Sequence, residues 1–282
     1  MKLATLSLTG ILSLTISAAA LAQDCDKLVI KYSEWHETAD TKWNIRLTSA
    51  SGGKLTYLGA HHADDPADVQ FTEIKKAFDA AKPTIAFFEG PNRGDEATDT
   101  ATIKKFGETG YVRFLAKQAG AKVMSLEPSP LNLYQYLVSQ FTQEKVDAYF
   151  LLNEAMRLRT RKQYNQEEVT KDVEIMIGKM AVLTAGKNTI KTIADLDAVY
   201  KKYWGDNQEW WQAPVEWFDP DKTSAETGGI FTNDINKRSS EYRDLYMYKL
   251  LADHVNKGEQ AFAVVGRNHI PMQEAALRCA VK

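Results

Sequence analysis

Four β-rich stretches of this chain each run out into an ionisable residue of the kind that binds metal or moves protons. "TYLGAHH" ends on His61 and His62, "TIAFFEG" on Glu89, "KVMSLEP" on Glu127 and "AFAVVGRNH" on His269. The chain has only five histidines in 282 residues, so three of them standing at such ends asks for a chemical reason. Two imidazoles and two carboxylates form a ligand set for a divalent transition metal such as Zn, Mn or Co, with positions left for water. The same residues also suit a metal-free reaction, in which a histidine held by a carboxylate takes a proton from water and a second acid protonates the leaving group. Both histidine sites read G-x-x-H, from Gly59 to His62 and from Gly266 to His269. Glycine there is expected to let the backbone turn sharply and bring the imidazole to the rim. Neighbours on an extended chain face opposite sides, so His62 is expected to face the site and His61 to turn toward packing or a supporting hydrogen bond.

Positioning these residues together requires strands that end on one edge. The runs "KLVIKY", "WNIRLTS", "KLTYLGA", "TIAFFEG", "KVMSLEP" and "AFAVVGR" have strand character, and the middle ones are separated by "DVQFTEIKKAFDAAK" and "GYVRFLAKQAG", with apolar residues at helical spacing. The reading is an α/β fold, a central mostly parallel or mixed sheet flanked by helices. "TIAFF" and "AFAVV" are apolar on both faces, as central covered strands are. The first two runs are expected to pair as an antiparallel hairpin at the edge. Ligands bind in such sheets outside the carboxyl ends of the strands, where all four end residues would converge. One domain over residues 23–282 is expected, with a helical insertion at about 131–203 and a Trp-rich loop or lid at about 204–232, carrying tryptophans at 204, 210, 211 and 217.

The ordered set of motifs resembles the TraB/PrgY/GumN family: a G-x-x-H after one strand, the glutamate of "FFEG", the glutamate of "SLEP", an arginine on a late helix and a second G-x-x-H. That family includes the Tiki metalloproteases and belongs to a wider superfamily with erythromycin esterase and ChaN-like proteins. The resemblance runs from about Trp43 to Ala276. It implies a hydrolase with metal held at His62 and His269, with Glu89 and Glu127 as the acids and Arg243 of "EYRDLYMYKLL" as the arginine. It equally implies two alternatives: a metal-independent esterase with a histidine base, or a haem- or metal-binding protein without catalysis. Arg243 stands at helical spacing with Tyr246, Met247, Leu250 and His254, on the apolar face of its helix. There it would hold a substrate carboxylate or a developing oxyanion, or else form a structural ion pair with one of the acids. Glu108, at an expected helix start in "GETGYVRFLAKQAG", is either a third acid of the cleft or a carboxylate placed to suit a helix N-terminus.

Other features bound the setting. Residues 1–22 read as a signal peptide, with Lys2, an apolar run and the small-x-small Ala20-Leu21-Ala22, so the protein is expected in the periplasm or secreted. No later stretch offers the roughly 18 uninterrupted apolar residues of a membrane span. A net charge of -2 gives no support for nucleic-acid binding, which leaves a small-molecule or peptide substrate. The two cysteines, Cys25 and Cys279, are expected to form a disulfide joining the termini. His36 opens a His-Glu pair, but Asp40 at the fifth position breaks the H-E-x-x-H pattern. His254 reads as a packed helix residue.

Overall fold

A computed structural model describes residues 25–94 and 96–282; the expected signal peptide lies outside them. Five strands form one sheet: β1 (Asn44–Thr48), β2 (Lys54–Ala60), β3 (Ile85–Phe88), β4 (Lys122–Ser125) and β5 (Gln260–Gly266). Their order is β1-β2-β5-β3-β4, and every pairing is parallel except the antiparallel β1–β2 hairpin at one edge. The last strand therefore inserts at the centre. Its register sets Ala60 beside Gly266 and Phe88 beside Val264, while Phe88 also pairs with Ser125. The carboxyl ends of β2, β5, β3 and β4 thus line up along one edge.

Strand periodicity divides the two faces. Ala86, Phe88, Phe262 and Val264 pack with Phe71, Phe78 and Val112 from α1 (Val69–Ala81) and α2 (Asp99–Gln118). Ile85, Phe87, Ala263 and Val265 pack on the opposite side with Met247, Leu251, Ile270 and Leu277, from the helices designated α8 (Thr232–Asn256) and α9 (His269–Ala280). Phe87 and Phe262 are wholly buried, each contributing about 1.5–3 kcal/mol of burial energy. That is why "IAFF" and "AFAVV" are apolar at every position.

The helical insertion is present as α3 (Pro130–Gln140), α4 (Gln143–Lys162), α5 (Gln166–Leu183) and α6 (Ile193–Trp204), which share a second core. The Trp-rich segment that follows contains two 3-10 turns and the single-turn α7 (Ser224–Thr227). Trp204 stacks on Trp217 at 4.8 Å, and Trp210 and Trp217 belong to the insertion's core. Asn233 at the start of α8 donates to the carbonyls of Glu216 and Asp219 at 2.7 and 2.9 Å. Trp210 and Trp217 are thus buried as packing residues of that core.

The edge hairpin differs from expectation. "KLVIKY" joins no strand; Tyr32–Glu34 is a 3-10 turn, and the Ile30 N–H donates to the Met272 carbonyl at 2.9 Å. Cys25 is disulfide-bonded to Cys279 across 254 positions, with Cα atoms 5.6 Å apart, and this link lays the segment along α9 instead of beside β1. Such a bond is compatible with an oxidising, extracytoplasmic setting. No helix among the described residues is long and apolar enough to cross a membrane.

Candidate functional site

The two histidines after β2 separate as alternation requires. His61 Nε2 lies 2.7 Å from Asp68 Oδ2, and its backbone exchanges hydrogen bonds with the Gln70 side chain. His62 instead lines a cleft of about 950 Å³ at the strand ends, together with Glu89, Glu127, Arg243 and Glu108. The glycine before it has a different role from the one expected: Gly59 has no positive φ. A Cβ built there would stand 2.7 Å from Arg267 Cα, so glycine permits close approach of the turns after β2 and β5. The Arg267 N–H donates to the Ala60 carbonyl at 2.9 Å across that contact.

Glu108 enters the cleft through a break in α2. Gly107 has φ +59° and ψ -150°, a conformation open to glycine, and a Cβ there would meet the Ala63 carbonyl oxygen at 2.8 Å. The helix resumes at Glu108, as the sequence suggested, but the carboxylate does more than complement a helix end. It is 4 % exposed and its Oε1 lies 2.6 Å from His62 Nδ1. The His62 side chain is otherwise 79 % exposed. A carboxylate on Nδ1 fixes that nitrogen as the donor and leaves Nε2 as the basic atom of a residue that lines the cleft. The Glu108 hydrogen bond raises the His62 pKa above its ordinary value, against a smaller opposing effect of burial.

Beneath them lies an ion-pair floor. Arg243 Nε and Nη2 donate to the two oxygens of Glu127 at 2.7 and 2.6 Å, and Nη2 also to Glu89 Oε1 at 2.8 Å. Glu89 Oε2 accepts from the Gly266 N–H at 2.7 Å, and Glu127 Oε1 from the Gly90 N–H at 3.2 Å. Ser125 Oγ donates to the Gly90 carbonyl at 2.7 Å and accepts from the Glu127 N–H at 3.1 Å, tying the β3 and β4 ends together. Burial would raise the Glu89 pKa, but His269, Arg243 and the Gly266 N–H hold it well below the usual carboxylate range. Of the two roles open to Arg243, the ion pair is the one seen. Its bonds to the acids use Nε and Nη2, and the residue also lines the cleft.

His269 is not on the cleft wall. It is 4 % exposed, with Nδ1 2.6 Å from Asp244 Oδ1 and Nε2 3.6 Å from Glu89 Oε1. Burial would lower its pKa, yet Asp244 and Glu89 together push it up to about 10. Asp244, wholly buried beside Arg243 on α8, also accepts from Gln273 Nε2 at 2.6 Å; Gln273 Oε1 accepts in turn from the Tyr57 hydroxyl at 3.0 Å. Tyr32 meets the His269 ring edge-on at 6.3 Å, and its hydroxyl pKa is raised, first by burial and then by Asp244. The site therefore brings together His62, Glu108, Glu89, Glu127 and Arg243, with His269 behind them, 3.6 Å from Glu89.

Comparison of the chain with family models, curated proteins and solved structures gave no match.

Among the described residues no group of three or more His, Cys, Asp and Glu side chains is arranged to hold a metal ion. The acids' oxygens face Arg243 and backbone N–H groups, and both nitrogens of His269 face carboxylates. This set does not fit an ion shared by His62 and His269. A haem fits no better, since the cleft walls are mainly charged and polar. Asp244 and Tyr32 were not singled out from the sequence. Asp244 does carry a sequence signal, since it stands at helical spacing with the buried Met247, Tyr248, Leu251 and Val255. The buried stripe of α8 is thus turned by one residue from the stripe that placed Arg243 on it.

Proposed function

We propose that the protein is an exported hydrolase of the TraB/GumN type that acts as a metal-independent esterase, with His62 as its base. The observation that carries this reading is the 2.6 Å contact between the exposed His62 and the buried Glu108. A carboxylate on one imidazole nitrogen, with the other open to a cleft, is the arrangement that general-base catalysis uses. His62 Nε2 takes a proton from water as the water oxygen attacks the carbonyl carbon of an ester or lactone. Glu108 holds the ring and stabilises the imidazolium. Arg243 Nη1 steadies the oxyanion, and the imidazolium returns its proton to the leaving oxygen as the carbon–oxygen bond breaks. The ordered motifs shared with the family support a hydrolase, and the leader and disulfide support export.

The test is hydrolysis of 4-nitrophenyl acetate by the purified mature protein, with metal analysis and a visible absorption spectrum of the same sample. His62→Ala is expected to lose about 10²–10⁴-fold in rate, His61→Ala far less, and a chelator should leave the rate unchanged. Equal losses in the two variants would dispose of the assignment. Stoichiometric metal with chelator-sensitive activity would replace it with metal-dependent hydrolysis, and a haem absorption band would replace it with a haem-binding role.

A further inference from the structure

The substrate class of the proposed hydrolase can be read from the wall formed by α4, and this inference rests on the hydrolase reading. The C-terminal end of α4 carries Arg157, Arg159, Arg161 and Lys162. Cations there complement the helix dipole, but these four divide by face. Arg159 donates to the Ala213 carbonyl at 2.8 Å, while Lys162 lies 4.0 Å from Asp172 and over the Tyr164 ring. Arg157 and Arg161 line the cleft with Asn153. The spacing 153, 157, 161 makes them one stripe along the helix.

Their charge is largely uncommitted. The acids of the floor are answered by Arg243, and Glu108 by His62. Arg157 gives Nη1 to Glu154 at 2.6 Å, leaving the rest of its donor fork. Arg161 and Arg93, both exposed, make no hydrogen bond or ion pair among the described residues, although both line the cleft. Arg161 is near enough for its charge to act on His62. Asp64 is the remaining carboxylate of the lining.

We propose that Asn153, Arg157 and Arg161, with Arg93 from the loop after β3, form a binding wall for an oxyanion group, so that the substrate is an ester bearing a carboxylate or phosphate. Guanidinium forks match either group with paired hydrogen bonds, and a charged handle held on α4 would present the scissile carbonyl to His62.

The test compares mono-4-nitrophenyl glutarate with 4-nitrophenyl acetate, and separately measures calorimetric binding of glutarate and inorganic phosphate. The wild-type protein should favour the charged ester. In Arg161→Gln the ratio of kcat/KM for charged over neutral ester should fall about tenfold or more, through KM, as expected for one lost charge-assisted contact. Arg161→Lys should retain part of the ratio, and added salt should reduce it. Tighter binding of glutarate would assign the wall to carboxylate-bearing esters, and of phosphate to phosphate-bearing ones. Hydrolysis with no charge preference, and no binding of either anion, would overturn the wall and leave the hydrolase standing. Anion binding through Arg161 in a protein that hydrolyses neither ester would do the reverse.

Discussion

Replacing Asp244 by asparagine should weaken the fold in a strongly pH-dependent way. Asp244 is wholly buried and His269 is 4 % exposed, so solvent does little to screen the pair. Burial alone would discharge the imidazole, yet Asp244 and Glu89 push its pKa up to about 10 from an ordinary 6.5. A histidine raised in this way stabilises the fold fully below the unfolded value, and that contribution is lost as pH climbs through the folded value. The interval bounds the contribution at the order of 5 kcal/mol, and breaking a buried pair by removing one partner costs about 3–5 kcal/mol. Urea unfolding of wild type and Asp244→Asn should therefore differ by about 3–5 kcal/mol near pH 6 and by about 1 kcal/mol or less near pH 9.5. NMR of His269 in the wild type should show both ring nitrogens protonated at neutral pH. A difference that stays constant between those pH values, or a neutral His269 at pH 7, would refute the reasoning.

Two further outcomes follow from the scaffold. Thiol titration of the denatured, unreduced protein should find no free thiol, and Cys25→Ser with Cys279→Ser should destabilise by roughly 2–5 kcal/mol, given the long loop that the bond closes; two free thiols in protein from an oxidising compartment would contradict this. Gly59→Ala places a methyl 2.7 Å from Arg267 Cα and 3.0 Å from Ile270 Cγ1, so chemical denaturation should show a loss of about 1–3 kcal/mol from overpacking, and an unchanged midpoint would mean the two turns separate freely.

The sheet and its cleft-bearing edge were legible because burial on two faces writes itself into strands such as "IAFF", and because each parallel strand ends on the same side. Four strand-end residues therefore mark that edge in the sequence itself. What could not be read was how far each side chain reaches. His269 lies beyond the last turn of β5 as the first residue of α9, which sinks it beneath Glu89. "KLVIKY" has strand composition, but its course is fixed by a disulfide and a contact with Met272, neither of which has a local signature. The tryptophans read alike as lid or packing because composition does not reveal which surface they meet. Glu108 became visible as a partner of His62 only through the break at Gly107, since the two lie 46 residues apart.

The most direct measurement of the central claim is the pH dependence of kcat/KM for ester hydrolysis in wild type and Glu108→Gln. The dyad predicts a limb that rises with pH as His62 loses its proton, lying above the ordinary histidine value of 6.5 in the wild type because Glu108 favours the charged ring. Glu108→Gln should lower the rate and move the limb to lower pH. A limb that falls with pH, or one that Glu108→Gln does not move, would contradict the assignment of His62 as the base.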